Sequence, residues 1–372
     1  MRSDDEPLGM NPMYRRVAIV LVLVMVIALL GGFFASVARS ATSACTDSND
    51  EVQQISLPVS GQPASGFIAY PPSTPKGIVA FTHGYGHSAL SWTHHARWAA
   101  RELGVIAVVM DNRGLKTLPP AKEGELPTSR GWNVSAGALD IIAATQNIEH
   151  CARGKTNVIF SVSMGGNTAG LALAAGIQRA DKSGPLFDYW VDVEGATNVT
   201  ETYLEARLLA PADKTAAKAL EDITAEMGGP IESVPDEYTK RTVVLRVADI
   251  AAGGLKGVIK VHGVDDGLVP FNQAREMVAA LDLEGIPVHM FNVLRRTPES
   301  ERETTITGYA GGKLDPNYTS PFAGHASETS TVHIIMKTAF ERLVALYRGE
   351  VPCRQETVVD GNSPQLGAFT GC

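Results

Sequence analysis

A candidate catalytic turn lies in SVSMGG at 161–166. The apolar run 157–162 predicts a strand and a helix is predicted to open at Gly165, so the motif falls at the kind of strand-to-helix turn that exposes a serine nucleophile. Strand and helix approach closely there, and the small residues Ser161, Gly165 and Gly166 allow that approach. We therefore predict Ser163 as the nucleophile. An ordinary glycine-containing turn is the alternative interpretation.

Backbone amides that could bind an oxyanion come partly from a second motif. HGYG at 83–86 follows directly after the apolar run 77–82, where serine-turn enzymes form the second half of an oxyanion hole. The predicted donors are the N–H groups of Tyr85 and Met164, and the helix N-terminus after Ser163 adds partial positive charge. Without the other motifs, glycines after a strand would indicate only a turn.

The carboxylate candidate lies in HGVDDGLVP at 262–270, which follows a predicted strand located after the serine turn. This is the chain order in which the acid is expected. Asp266 is preferred because it stands three residues before the Val-Pro pair, within the turn that presents the carboxylate. The neighbouring Asp265 is one alternative, and Asp192 or Glu194 would serve an architecture with an earlier acid. A solvated Asp-Asp-Gly turn is the non-catalytic interpretation.

The general base is expected after the acid, near the end of the chain. His325 fits because it follows the last predicted strand and a long loop, and it precedes the final helix. His333 is the only rival, but it falls inside that predicted helix. The other histidines precede the acid, share its turn or lie in a strand: His83, His87, His94, His95, His150, His262 and His289. The first two are four residues apart at a strand exit, without acidic or cysteine ligands, so no metal site is predicted.

The elements that must position these residues alternate between apolar runs and helical stretches, which indicates an α/β sheet. Predicted strands occupy 52–59, 66–70, 77–82, 105–110, 157–162, 189–193, 257–261 and 288–293. Predicted helices cover about 90–103, 134–148 and 329–347, besides the one at Gly165. The stretch from about 195 to 252 is helical in pattern over 201–227, with a break at Pro211, and predicts a cap.

Taken together, the motifs resemble those of an α/β-hydrolase. The match covers about 66–347 and rests on HGYG, SVSMGG, HGVDDGLVP and AGH, in that order; Ser161 departs from the usual glycine. The resemblance implies an α/β-hydrolase fold, with a mostly parallel central sheet, helices on both faces and a helical cap insertion. It implies Ser163 as nucleophile, Asp266 as orienting acid, His325 as base, and the Tyr85 and Met164 amides as oxyanion donors. It also implies acyl-enzyme chemistry without a metal or organic cofactor.

Charge and the N-terminal segment indicate where the chain works. The 372 residues carry 32 basic and 40 acidic side chains, a net charge of −8, which gives no electrostatic footprint for nucleic acid. Residues 17–38 are uncharged and would span about 33 Å as a helix, enough to cross a bilayer core. Arg15 and Arg16 precede this run, so the rest of the chain is expected outside the cytoplasm. A cleaved signal peptide is favoured over an uncleaved anchor.

The predicted organisation is a signal peptide or anchor at 1–38, a hydrolase domain at 39–350 and a C-terminal tail at 351–372. Export would expose the four cysteines to an oxidising compartment. Cys353 and Cys372 bracket the tail, and closing that loop of about 20 residues contributes roughly 3 kcal/mol in the chain-entropy model. Cys45 and Cys151 are then left to pair. Four unrelated thiols are the alternative.

Aromatic residues and the cap bear on the substrate, a small molecule or a peptide. Trp92, Trp132 and Tyr309 are candidate pocket residues, although each also suits a core. The cap sequence is heavily charged, which favours soluble esters over lipid droplets. We expect an extracytoplasmic serine hydrolase of carboxylic esters that meets the membrane only through its N-terminal segment. The alternatives are a secreted serine peptidase of prolyl-peptidase type, an acyltransferase and a catalytically silent binding domain.

Overall fold

A central sheet organises the part of the chain that the structure describes. The computed structural model describes residues 45–120, 126–294, 306–307, 313–314, 325–326, 328–329 and 333–359. The strands of the sheet are β1 (Val52–Val59), β2 (Gln62–Ala69), β3 (Gly77–Thr82), β4 (Ile106–Met110), β5 (Thr156–Val162), β6 (Tyr189–Val193), β7 (Gly257–Gly263), β8 (Val288–Val293) and β9 (Gln355–Val359). Two short hairpins pair Lys116–Leu118 with Thr128–Arg130 and Ile306–Thr307 with Lys313–Leu314.

The strand order is β1-β2-β4-β3-β5-β6-β7-β8-β9. β2 pairs antiparallel with β1 and β4, and all the other neighbours pair in parallel. The central strands are apolar along their whole length because both faces of the sheet are covered. In β3, for example, Ile78 and Ala80 pack into one core cluster, whereas Val79 and Phe81 pack into another. The sheet therefore separates two cores. Because the central strands are parallel, their carboxyl ends lie along the same edge of the sheet.

The helices of the described residues connect and cover these strands. They are α1 (Thr93–Trp98), α2 (Val134–Ile148), α3 (Met164–Ala174), α4 (Val199–Leu209), α5 (Lys214–Met227), α6 (Pro235–Arg241), α7 (Val247–Gly253), α8 (Phe271–Leu283) and α9 (Ile334–Tyr347). Short 3-10 turns occupy Ala89–Trp92, Glu149–Ala152 and Val243–Arg246, and a π-helical turn occupies Ala99–Leu103.

Four of these helices, α4 to α7, lie between β6 and β7, in the segment predicted as a cap. The predicted break at Pro211 falls in the gap between α4 and α5. Asp213 then caps α5, because its carboxylate accepts from the backbone N–H of Ala216 at 2.7 Å.

The C-terminal part differs from its prediction in two ways. The last helix begins at Ile334 rather than near residue 329, so His333 precedes the helix instead of lying inside it. The tail, in which no strand was predicted, contributes β9, which pairs in parallel with β8 and buries Val359. An unpaired edge of β8 would expose its backbone polar groups, and β9 satisfies them.

A disulfide between Cys45 and Cys151 joins the start of the described chain to the turn after α2, as the sequence predicted. Cys353 is also disulfide-bonded, but Cys372 lies outside the described residues, and its pairing with Cys353 stays a prediction. The segment 17–38 lies outside them as well. Among the helices that the structure describes, none is both long and apolar enough to cross a membrane.

Candidate active site

The serine turn between β5 and α3 has a strained backbone. Ser163 has φ +55° and ψ −126°, a conformation that non-glycine residues rarely adopt outside functional sites. Its glycine neighbours are sterically required. A Cβ at Gly165 would lie 2.4 Å from the carbonyl oxygen of Thr82, and one at Gly166 would lie 2.5 Å from Cα of Gly195. The sequence thus holds Ser163 on a turn that only small neighbours permit.

Ser161 contributes a hydrogen bond as well as small size. Its buried hydroxyl donates to Oδ1 of Asp192 at 2.8 Å and accepts from Nε1 of Trp190 at 2.8 Å. The other oxygen of Asp192 pairs with Nζ of Lys260. Asp192 was one of the alternative acids. In the structure both of its carboxylate oxygens bind other partners, Ser161 and Lys260. Sequence reasoning assigned Ser161 only a steric role because its partners lie on other strands.

The structure brings Asp266 and His325 together. Oδ2 of Asp266 lies 2.8 Å from Nδ1 of His325, while Oδ1 accepts from the N–H groups of Leu268 at 2.8 Å and Val269 at 3.0 Å. Burial alone would raise the pKa of Asp266, but the charge of His325 and the imidazole hydrogen bonds hold it well below its usual range. The ionised carboxylate therefore accepts from Nδ1–H, so that Nε2 is the acceptor whenever His325 is in its neutral form. The alternative Asp265 is exposed.

A second carboxyl group, that of Glu194 at the end of β6, also faces His325. Its Oε2 lies 3.5 Å from Nδ1 of His325 and accepts from the N–H of Ala326 at 2.6 Å, while Oε1 accepts from the N–H of Gly263 at 3.0 Å. Burial, followed by the charge of Asp266, raises the pKa of Glu194 to about 8. The sequence offered Glu194 only as a replacement for Asp266. In the structure, both carboxyl groups lie against Nδ1 of His325.

The electrostatic surroundings of His325 favour its protonated form. Burial lowers its pKa, but the charges of Asp266, Glu194 and Glu328 and the Asp266 hydrogen bond raise it by more, to about 9. Asp266 also lies 3.4 Å from Nε2 of a second imidazole, that of His262. Acyl transfer requires an imidazolium intermediate, and this arrangement stabilises one.

Glu194, Asp266 and His325 also have the donor types of a metal site. Their atoms, however, are engaged with each other and with the backbone N–H groups of Gly263 and Ala326. The other group of this kind among the described residues contains the two sulfurs of the Cys45–Cys151 disulfide. The contacts therefore fit a hydrogen-bonded acid–base site better than a metal centre.

A cavity of about 260 Å³ lies above the serine turn and beneath the cap. Ser163 and His325 both line it, together with Trp132 and Tyr85, whose rings lie 5.9 Å apart. Trp92, another predicted pocket residue, is instead fully buried in the core and stacks on Phe81 at 4.7 Å, so that prediction is wrong. The indole of Trp92 packs there among other aromatic rings of the core. Tyr309 lies outside the described residues.

The candidate oxyanion donors flank the same turn. Met164 is the first residue of α3, where a backbone N–H has no partner within the helix. Neither its N–H nor that of Tyr85 donates to another group within the described parts of the chain. The Tyr85 hydroxyl donates to Asp222 at 2.6 Å, and Asp222 also accepts from Nε of Arg130 at 2.8 Å. Through this hydrogen bond the loop 83–86, which carries the Tyr85 amide, contacts the cap helix α5.

Comparison with known proteins identifies the fold. No family model matches the sequence, and no curated protein does so. Among solved structures, a puromycin hydrolase is 14% identical, with a TM-score of 0.52 over 84% of this chain and 40% of that one. A Mycobacterium tuberculosis puromycin-hydrolyzing peptidase is 14% identical, with a TM-score of 0.51 over 83% and 40%. The chain thus spans two fifths of their length and has the predicted α/β-hydrolase fold.

Proposed function

We propose that this chain is a serine hydrolase that forms an acyl-enzyme on Ser163. The observation that carries the proposal is the 2.8 Å contact between Asp266 and His325, in a cavity that the strained serine also lines. Nε2 of His325 would take the Ser163 proton as Oγ attacks a carbonyl carbon, and the Tyr85 and Met164 amides would bind the oxyanion. His325 would then protonate the leaving group. Water, activated by the same imidazole, would release the acid.

Carboxylic esters are the proposed substrates. The cavity is small, and most of its lining is apolar, including Leu209 and Ala216 from the cap. A short acyl group fits such a volume, whereas a long lipid chain does not. Peptides or other amides are the second candidate, because the two solved structures compared above are named for hydrolysis of puromycin.

We further propose that the enzyme works outside the cytoplasm. The disulfide between Cys45 and Cys151 supports this location, because such bonds persist in oxidising compartments. The uncharged segment 17–38 would provide the export signal or the anchor.

Fluorophosphonate labelling tests the nucleophile directly. We expect the chain to be labelled on Ser163 and Ser163→Ala to lose both labelling and ester turnover, by several orders of magnitude, because triad deletions act in this way. Ser161→Ala is a matched control, since this buried hydroxyl does not line the cavity. Labelling that persists in Ser163→Ala would contradict the proposal. Paired esters and anilides of one acyl group would then separate the two substrate classes.

A further inference from the structure

Asp222 joins the cap helix α5 to two neighbouring segments, the loop 83–86 and the turn 130–131. Its carboxylate accepts from the Tyr85 hydroxyl at 2.6 Å, from Nε and Nη2 of Arg130 at 2.8 and 2.9 Å, and from the N–H of Gly131 at 3.0 Å. The Asp222 side chain is only 14% exposed. Burial alone would raise its pKa, but these hydrogen bonds hold the pKa below its usual value. The carboxylate is therefore ionised at neutral pH, and ionised acceptors form the stronger hydrogen bonds.

The backbone of Tyr85 has no anchor of its own. Within the described parts of the chain, neither its N–H nor its C=O bonds to another group. The residues on either side are held, because the N–H of Gly84 donates to Glu328 and the C=O of Gly86 accepts from Ser129 at 3.0 Å. Both neighbours are glycines, however, and Gly86 has φ +81° with open space where a side chain would be. Glycines let the peptide groups beside Tyr85 rotate, so its side chain is the remaining anchor.

The Tyr85 ring packs against an apolar cluster shared by the serine turn and the cap helix α5. This cluster contains Met164, the other proposed oxyanion residue, and Ile223 of α5. The same helix lines the cavity through Ala219, one turn before Asp222. A tyrosine side chain rotates about only two bonds, so an anchored hydroxyl restricts where its Cα and backbone N–H can lie. The cap helix is thus linked to the Tyr85 N–H through a short, stiff side chain.

We propose that Asp222 is a positioning residue for catalysis, which holds the Tyr85 N–H in place for the oxyanion by binding the Tyr85 hydroxyl. The inference rests on the proposed hydrolysis at Ser163, and it gives the cap a part in the chemistry besides covering the cavity. Oxyanion donors act on the charge that develops in the transition state, so their alignment changes transition-state binding more than ground-state binding. Loss of the anchor should therefore slow acylation and leave the affinity for the unreacted substrate nearly unchanged.

The direct test is Tyr85→Phe, which removes the hydroxyl and keeps the ring beside Trp132. We expect kcat/KM for p-nitrophenyl butyrate to fall roughly tenfold, whereas a lost oxyanion donor costs about a hundredfold or more, because the N–H remains but is no longer held. Rates are taken per mole of folded protein, with folding checked by circular dichroism. Tyr238→Phe is the matched control and should keep the original rate, since its hydroxyl donates to the C=O of Gly229 at 3.1 Å within the cap.

Two ketones that resemble the butyryl group separate positioning from a general loss of structure. With propyl trifluoromethyl ketone, Oγ of Ser163 bonds to the carbonyl carbon, the C=O double bond becomes an oxyanion, and His325 takes the serine proton. Propyl methyl ketone binds mostly unreacted. In Tyr85→Phe, the inhibition constant of the trifluoromethyl ketone should rise by the same factor as kcat/KM falls, while that of the methyl ketone should change by less than about twofold.

Variants of Asp222 test whether the hydroxyl acts through this carboxylate. Asp222→Ala should lower kcat/KM at least as much as Tyr85→Phe, and in the double variant the two losses should not multiply, because both changes break one link. Asp222→Asn keeps an oxygen acceptor and should recover part of the rate. Glu221 is 73% exposed and also contacts Arg130, at 3.3 Å, so Glu221→Gln controls for the loss of an Arg130 partner and should leave the rate unchanged.

The outcomes separate this inference from the proposed function. An unchanged kcat/KM in Tyr85→Phe, or losses that multiply in the double variant, would overturn the positioning role of Asp222 alone. Equal increases in both inhibition constants would also overturn it, because a general disturbance of the cavity would then explain the loss. An unaltered chain that is neither labelled by fluorophosphonate nor inhibited by the trifluoromethyl ketone would overturn the proposed hydrolase itself.

Discussion

Two buried polar networks border the serine turn, one around Asp192 and one around Asp266. In the first, Asp192 pairs with Lys260 and accepts from Ser161, so each charge has a partner. In the second, Asp266 and Glu194 both lie against the imidazole of His325. The first network is balanced in charge and lies away from the cavity. The second has one carboxyl more than it has cations, and it opens onto the cavity through His325.

The difference suggests two roles at the same edge of the sheet: the Asp192 network would stabilise the fold, and the Asp266 network would take part in the chemistry. In the first network the charges of Asp192 and Lys260 compensate each other, which suits a structural role. In the second network, the pKa of about 8 at Glu194 and of about 9 at His325 indicate that these groups can exchange protons not far from neutral pH. Strongly shifted pKa values of this kind cluster at functional sites.

The largest expected effect comes from breaking the unbalanced network at Asp266. Asp266→Asn should lower kcat/KM roughly ten-thousandfold, because the amide cannot fix the Nδ1–H tautomer of His325. The exposed neighbour provides the control, and Asp265→Asn should retain nearly full activity. Steady-state kinetics per mole of folded protein, with folding checked by circular dichroism, measures both. Equal losses in the two variants would contradict the assignment of Asp266.

A residual rate in Asp266→Asn would sharpen the comparison further. If Glu194 replaces the missing acid, adding Glu194→Gln should remove that residual rate. A double variant with the same rate as Asp266→Asn would show that Glu194 cannot act as the acid.

The balanced network should affect stability instead. Lys260→Met leaves the Asp192 carboxylate buried without its partner, so the free energy of unfolding should fall by about 3–5 kcal/mol. Urea titration measures this loss. The kcat per labelled site should stay within a few-fold of the original, because Lys260 does not line the cavity.

An exposed ion pair gives the matched control for this stability effect. Lys240 bonds Glu237 at 2.6 Å with a side chain that is 63% exposed, and Lys240→Met should cost less than about 1 kcal/mol. Equal losses for the two lysines would contradict a structural role for the Asp192 network. A collapse of kcat in Lys260→Met would move that network into the catalytic machinery.

The sequence predicted the local parts of this site and missed the parts that depend on distant contacts. The strands and the serine turn follow from short-range patterns, since apolar runs and small residues act on their chain neighbours. Glu194 could be predicted only as an isolated acid because its contact with Ala326 joins residues 132 positions apart. Glu328 gave no signal because its contact with Gly84 joins residues 244 positions apart.

The same reason accounts for the wrong prediction at Trp92 and for the strand in the tail that was not predicted. An aromatic residue next to a glycine-rich loop suits either a pocket or a core, and only the position of Phe81 decides between them. The segment 355–359 has a weak strand pattern in its own sequence, and it forms a strand by pairing with the edge of β8. Edge strands of this kind are specified by their partner more than by their own residues.

The smallest expected effect is a change in the pH dependence of the unbalanced network. His325 must be neutral to act as a base, so kcat/KM should rise with pH as it loses its proton. Glu194→Gln removes a carboxylate whose charge raises the pKa of His325, so the rise should move to lower pH, by roughly one unit or less. Activity below the midpoint would then increase, up to about tenfold. Glu221→Gln should leave the profile in place, and a profile in Glu194→Gln that is unmoved, or moved to higher pH, would contradict an electrostatic role for Glu194.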